Sequence, residues 1–256
     1  MILFAASAIV ILMVATSLVG VLAGLRPSRS KGAAGERLAA RYLKDLNPTI
    51  YQVFHDLYLP RPDGRGTTQI DHVILSRFGV FVVETKDYDG WIFGGARQKM
   101  WTQSLFGRNT QFQNPLHQNH LHVLALRAFL GLSERQFHSL VFFVEGDFRS
   151  EMPENVICSD LCGWIIGRRA TLLSDEPLFE SVRRLEELEK NTNRKSAKVL
   201  HYEGLQAIRH EAADSRVVQL HISDSGQVVQ PPPPVDSPWV TSMESSKEHR
   251  GLAPVG

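Results

Sequence analysis

Two hydrophobic periods run along this chain, and each predicts its own kind of element. Residues 1–25 carry no charged side chain, and Arg26, Arg29 and Lys31 follow at once. At 1.5 Å per residue such a helix would reach about 37 Å, beyond the ~30 Å hydrocarbon core, so the segment predicts a membrane span. A cleaved signal peptide would carry its positive charge ahead of the apolar stretch, whereas here the charge comes after it. In 32–46 the apolar positions Ala33, Leu38, Ala39, Tyr42, Leu43 and Leu46 recur at helical spacing, and Asn47-Pro48 ends the pattern. The period then shortens to that of strands. Residues 50–59 read as one strand and 60–66 as a loop, and Thr67–Ser76 and 79–86 read as a β-branched antiparallel hairpin turning at Arg77-Phe78.

Two further short strands are predicted over 90–94 and 99–103. A helix over 114–131 has Pro115 at its first position. The sheet resumes over 138–145 and again, briefly, over 154–158. A charged amphipathic helix covers 175–190, capped by Ser174 or Asp175 with Pro177 in its first turn, and a last ordered piece runs to about residue 210. Strands interleaved with helices predict an α/β fold with a central mixed sheet flanked by helices.

These patterns divide the chain into a transmembrane helix (1–25), a basic linker (26–31), an α/β domain (32–148), a mainly helical extension (149–215) and a tail (216–256). The tail holds Gly226, Pro231 to Pro234 and Pro238 among many serines, and is expected to be disordered. No internal repeat is visible. Arg26, Arg29, Lys31, Arg37, Arg41 and Lys44 crowd one end of the apolar segment, so the positive-inside rule predicts a single-pass cell-membrane protein with its remainder in the cytoplasm. The apolar content of 43% supports a sizeable core, and a net charge of +1 excludes a global polyanion-binding surface. Cys158 and Cys162 exclude a disulfide-rich scaffold and lack the second pair that a zinc site needs.

The chemistry lies on the predicted hairpin. Glu84 and Lys86 leave the strand on the same side, with Thr85 pointing away, and Asp71 on the adjacent strand can meet them. Two carboxylates and an ammonium are costly on an apolar scaffold unless something uses them. Oxygen ligands from Asp71 and Glu84, completed by the Thr85 carbonyl and waters, suit Mg²⁺ or Mn²⁺ better than zinc. Lys86 is then placed to orient the attacking water in a phosphodiester hydrolysis. Asn114, Gln118 and His122 follow at four-residue intervals and predict one polar stripe on the helix, with Asn114 alternatively spent as its cap.

Other candidates have plainer readings. His117, His120 and His122 lack a second metal-binding motif. Trp91, Phe93 and Trp101 read as sheet core or as base-stacking groups, and Arg61, Arg65, Arg97, Lys99 and Arg108 as solvated charges or phosphate contacts.

Five stretches together resemble the NERD (nuclease-related) domain, a branch of the PD-(D/E)xK restriction-endonuclease-like superfamily. They are Gly32-Ala33-Ala34-Gly35-Glu36, Gln69-Ile70-Asp71-His72-Val73, Phe81-Val82-Val83-Glu84-Thr85-Lys86, Gly90-Trp91-Ile92-Phe93-Gly94, and Asn114-Pro115 with Gln118-Asn119. Ile70 stands where the superfamily's name would place proline. The resemblance implies a restriction-endonuclease-like sheet flanked by helices, with Glu36, Asp71, Glu84 and Lys86 as active-site residues and Glu36 assisting Asp71 and Glu84 at the metal. It implies that the polar stripe of Asn114, Gln118 and His122 faces the site, for phosphate contact or orientation of Glu36. It implies Mg²⁺-dependent cleavage of DNA. RNA as substrate, and a silent membrane-tethered nucleic-acid-binding or scaffold module, remain the alternatives. Glu84→Ala is expected to abolish cleavage and leave the fold intact.

Overall fold

In the computed structural model, residues 29–223 are described. The predicted membrane span, most of the basic linker and the tail beyond residue 223 lie outside the described residues. Among the described residues, no helix is long and apolar enough to cross a membrane.

The chain enters through helix α1 (Arg29–Tyr42), prolonged by a 3₁₀ turn over Leu43–Asp45. Strands β1 (Gln52–Pro60), β2 (Thr67–Ser76) and β3 (Gly79–Phe93) follow as an antiparallel meander. The segments 79–86 and 90–94, expected as two strands, form this one long β3. Its pairing shifts after Lys86 and again after Asp87, which hides the continuity from a reading of alternation.

Strand β4 (Met100–Leu105) is joined to β5 (Arg108–Gln113) by Phe106 and Gly107, at φ 49° and 76°. That is the two-residue turn whose twist suits a hairpin. The sequence reading missed β5 because RNTQFQ has a single buried residue, Phe112, to signal it. Helix α2 (Pro115–Leu130) leads to β6 (Phe137–Phe148), which lies parallel to β3, and β7 (Val156–Ile157) lies parallel to β6. The result is a seven-stranded mixed sheet.

Helices α3 (Leu161–Ile166), α4 (Asp175–Asn191) and α5 (Arg194–Ser223) complete the fold. The sheet is covered on both faces. On one, Leu126 of α2 and Leu185 of α4 pack with Leu57, Val73 and Val82. On the other, Ala39 of α1 and Ile165 of α3 pack with Ile74, Phe81 and Phe142. A third cluster joins Trp101 and Phe112 of the β4–β5 hairpin to Ile92 and Phe143. The chain beyond residue 148 therefore completes the same core instead of standing apart from it. Helix α5 also runs past residue 215, the expected end of order, with no proline or glycine between Gly204 and Gly226 to stop it.

Strand β6 occupies one edge of β3 along most of its length. The other edge pairs with β2 up to Val83↔His72 and with β4 only from Trp91 onward. Between them lies a gap in the sheet, and the candidate site is built around it.

Candidate active site

Four features of local folding bring the charged residues to the gap. The first is the end of the β2–β3 ladder, where the Thr85 N–H has lost its strand partner and donates to Asp71 Oδ2 at 2.8 Å. The second is a slip in alternation. Phe54 shares a cluster with Leu57 and Leu59, and Ile70 with Val73 and Leu75, so each strand changes parity once, β1 around Asp56 and β2 around Asp71. Asp56 adopts φ 55°, unusual for a side chain other than glycine, and its Oδ1 accepts from Gln69 Nε2 at 2.8 Å. The third is close helix packing. A Cβ on Gly35 would stand 2.6 Å from the Asp87 Cβ, so only glycine lets α1 approach β3 closely enough for Glu36 to reach the carboxylates. The fourth is α2, which lays its polar stripe over the other face.

On that face Glu84 is 2% exposed, and both of its oxygens are engaged. Lys86 Nζ donates to Oε1 at 2.6 Å and also to Gln118 Oε1 at 2.9 Å. His122 Nε2 lies 2.9 Å from Oε2, and its Nδ1 lies 2.8 Å from Thr68 Oγ1. One tautomer serves both contacts, with Thr68 donating to Nδ1 and Nε2–H donating to Glu84. Gln118 and His122 thus lie beside the charged pair. Asn114 does not. It is fully buried at the helix start, where Oδ1 accepts from the Leu116 N–H and Nδ2 donates to the carbonyls of Gly95, Ala96 and Gln98. It is the cap that its position also allowed, and it ties α2 to the loop before β4.

The electrostatics are those of an acid cluster with one resident ammonium. Burial raises the Asp71 carboxyl, and Glu84 and Glu36 raise it further. Burial also raises Glu36, followed by the field of Asp56 and, more weakly, of Glu84, while Lys198 from α5 opposes them. For Glu84 burial acts upward too, but the Lys86 ammonium and the His122 hydrogen bond outweigh it and hold the carboxyl low. Burial pulls Lys86 down, but the charge and hydrogen bond of Glu84, with Asp71 and Tyr88 adding to them, raise it on balance, so it stays charged.

Glu36, Asp71, Glu84 and Lys86 are therefore neighbours in the field of one another. Among the described residues, no three His, Cys, Asp or Glu side chains form a ready metal cage. Sequence reasoning missed Asp56, Tyr58 and Gln69, which join the cluster from β1 and β2. Their only signal was polar residues on a strand that otherwise buries leucines.

The remaining candidates separate. Trp101 is buried in the third cluster, whereas Trp91 is 51% exposed under the Arg149 guanidinium, 4.8 Å from its ring centroid, and Phe93 is exposed. Arg61 and Arg65 both hold Asp63, which uses part of their charge inside their own loop. Cys158 and Cys162 are free thiols, and Cys162 Sγ donates to the Tyr42 carbonyl.

Comparison with known proteins places this geometry. The profile of the nuclease-related domain, NERD, matches residues 31–144. An uncharacterized protein of Bacillus anthracis is 34% identical over 179 residues, which are 67% of this chain and 84% of that protein. The crystal structure of a protein of unknown function, AF1548, aligns with 69% of this chain and 97% of its own at 13% identity and a TM-score of 0.29, a likeness too slight to bear on the site. The matched residues hold Glu36, Asp71, Glu84, Lys86, Gln118 and His122, and with the long shared stretch in the Bacillus protein they establish that this chain belongs to the NERD, or nuclease-related domain, family.

Proposed function

We propose that this chain is a membrane-anchored, metal-dependent nuclease that hydrolyses DNA phosphodiester bonds on the cytoplasmic side, on a restriction-endonuclease-like sheet. The observation that carries the reading is the buried Glu84–Lys86 pair at the gap in the sheet, held by Gln118, His122 and Thr68 and faced by surplus carboxylates. A structural ion pair needs no surplus. Asp71, Glu36 and Asp56 bring more acidic groups to the cluster than Lys86 can pair, and the upward push on Asp71 and Glu36 comes first from burial and then from neighbouring carboxylates, the second of which a divalent cation offsets. Oxygen donors of this kind fit Mg²⁺ or Mn²⁺, and Asp71, Glu84 and Glu36 would hold the ion. When bound, the ion supplies Lewis-acid stabilisation of charge developing on the phosphoryl group.

The chain's own residues do the rest. Lys86 spends two of its three N–H groups on Glu84 and Gln118, leaving one for the attacking water or a phosphate oxygen. Its positive charge opposes the charge that grows in the transition state. His122, backed by Thr68, fixes the direction of Glu84, and Gln118 fixes that of Lys86. Support for the anchor is the charge-free segment 1–25 and the basic residues that follow it.

The test is cleavage of labelled DNA, with matched RNA beside it. The purified chain is expected to cut DNA with Mg²⁺ or Mn²⁺ and to stop with chelator. Glu84→Gln and Asp71→Asn, which keep shape and remove charge, are expected to lose about 100-fold or more in rate. Wild-type cutting by either variant would sink the reading, and preferential cutting of RNA would change the substrate.

A further inference from the structure

Beyond the start of α1 the sheet keeps an uncovered face. Ile92 packs in the third cluster with Phe143, the partner of Lys86 across the ladder, so Ile92 points to the α2 side and its neighbours Trp91 and Phe93 to the α1 side. Trp91 and Phe93 are 51% and 38% exposed. Met100 of β4, on their side by alternation from Thr102, is 46% exposed. Single exposed apolar residues are ordinary, but three on one face of a sheet make a patch. Its rim is cationic. Arg149 lies over the Trp91 ring and holds Asp147, and Arg97 and Lys99 are exposed in the loop between Phe93 and Met100.

What this patch meets follows from the direction of α1. Gly35 packs against Asp87, and Ala39 shares a cluster with Phe81 and Val83, so α1 runs antiparallel to β3 and begins toward its Trp91 end. From Gly35 back to Arg29 the helix rises about 9 Å, while β3 runs about 13 Å from Asp87 to Trp91. The charge-free segment 1–25 ends just before Arg29, and the residues between them reach about 14 Å at full extension. We propose that the face of Trp91, Phe93 and Met100 is a membrane-docking surface, seated among the headgroups of the bilayer that residues 1–25 cross. The inference rests on the membrane anchor of the proposed function and is independent of the cleavage chemistry. An indole suits the headgroup level, with its ring toward the acyl chains and its N–H in water, and Arg97, Lys99 and Arg149 suit anionic lipid phosphates. Stacked bases would use the same rings, but Glu84 and Lys86 point to the α2 side, away from this face. Docking gives the domain one orientation, with the gap at Glu84 up to about 23 Å back along β3 from Trp91.

The experiment reconstitutes the full chain, wild type and Trp91→Phe, in vesicles of phosphatidylcholine and phosphatidylglycerol with and without bromine on the acyl chains, and reads tryptophan emission after flotation. Bromine quenches a ring it touches. It is expected to remove about 10–25% more of the emission from wild type than from the variant, up to the share of one tryptophan in the chain's 4. The variant keeps an apolar ring at a half-exposed position, and its urea midpoint is expected to match that of wild type. Equal quenching of the two proteins in vesicles that carry the chain overturns this inference and leaves the anchor standing. Emission from Trp91 that bromine spares and oligothymidylate quenches gives the face to the nucleic-acid substrate and overturns it as well. A chain left behind when the vesicles float removes the anchor, and this inference with it.

Discussion

Glu84→Ala is the natural test of an active-site carboxylate, yet the structure requires it to unsettle the fold as well. Glu84 and Lys86 sit 2.6 Å apart with side chains 2% and 16% exposed. At an effective dielectric of about 20, attraction at that separation amounts to about 6 kcal/mol before the cost of desolvation. Truncating the carboxylate leaves the Lys86 ammonium largely buried with the neutral Gln118 oxygen as its close partner, and His122 loses its acceptor. Breaking a buried pair from one side costs about 3–5 kcal/mol, and the low end of that range is expected here because Asp71 still acts on the surviving ammonium. For a folded region of this size that lowers the unfolding midpoint by about 6–20 °C. The assay is urea or thermal unfolding of wild type, Glu84→Ala, Lys86→Ala and the double variant. The double variant is expected to cost less than the two singles together by about 2 kcal/mol or more. A Glu84→Ala protein within about 1 kcal/mol of wild type, or a strictly additive cycle, would refute the reasoning. The expectation from sequence that this substitution spares the fold is the one burial corrects.

Gly35→Ala forces a Cβ to within 2.6 Å of Asp87, so α1 must shift; a loss of about 1–3 kcal/mol is expected in urea unfolding, with a drop in cleavage as Glu36 moves away. Asn114→Ala removes a cap and the buried amide's bonds to three carbonyls, and is expected to cost about 2–4 kcal/mol, whereas Gln118→Leu takes one acceptor from the Lys86 ammonium and is expected to lower cleavage and to cost about 1–3 kcal/mol in urea unfolding. His72 is buried beside His55, Nδ1 to Nδ1 at 2.8 Å, and burial followed by that neighbour lowers its pKa to about 3. A folded-state value below the unfolded one of about 6.5 means that its stabilising contribution is complete above pH 6.5. It is lost as the pH falls from there toward 3, by up to about 4–5 kcal/mol. His72→Leu is therefore expected to flatten the fall of urea midpoint between pH 7 and 4, and an unchanged slope would refute the assignment.

Much of the fold was legible because burial leaves its period in the sequence. Val80, Val82 and Leu126 feed one core and Phe81, Val83 and Phe142 the other, and the alternation between the two faces could be read directly. Strand β5 was not legible, since a polar edge strand buries almost nothing and gains its place from hydrogen bonds to β4. Phe106, 96% exposed at the hairpin tip, is an apolar residue that no core rule would place there.

For the site, the residue types and their order along the chain were determined by the sequence itself: two acids and a lysine flanked by β-branched residues, a glutamate behind a glycine, and a glutamine and histidine four apart. Spacing of that kind follows from strand and helix periods and needs no tertiary information. What each group does depends on which partner it meets, and the tertiary structure alone decided that. It took Asn114 out of the stripe and made it a cap, and it set His122 on Glu84 and Gln118 on Lys86. It also brought Asp56, Tyr58 and Gln69 to the gap through a break in alternation at a residue with φ 55°. A left-handed backbone and a ladder that ends early are products of packing between distant segments, and local sequence carries no period from which they could be read.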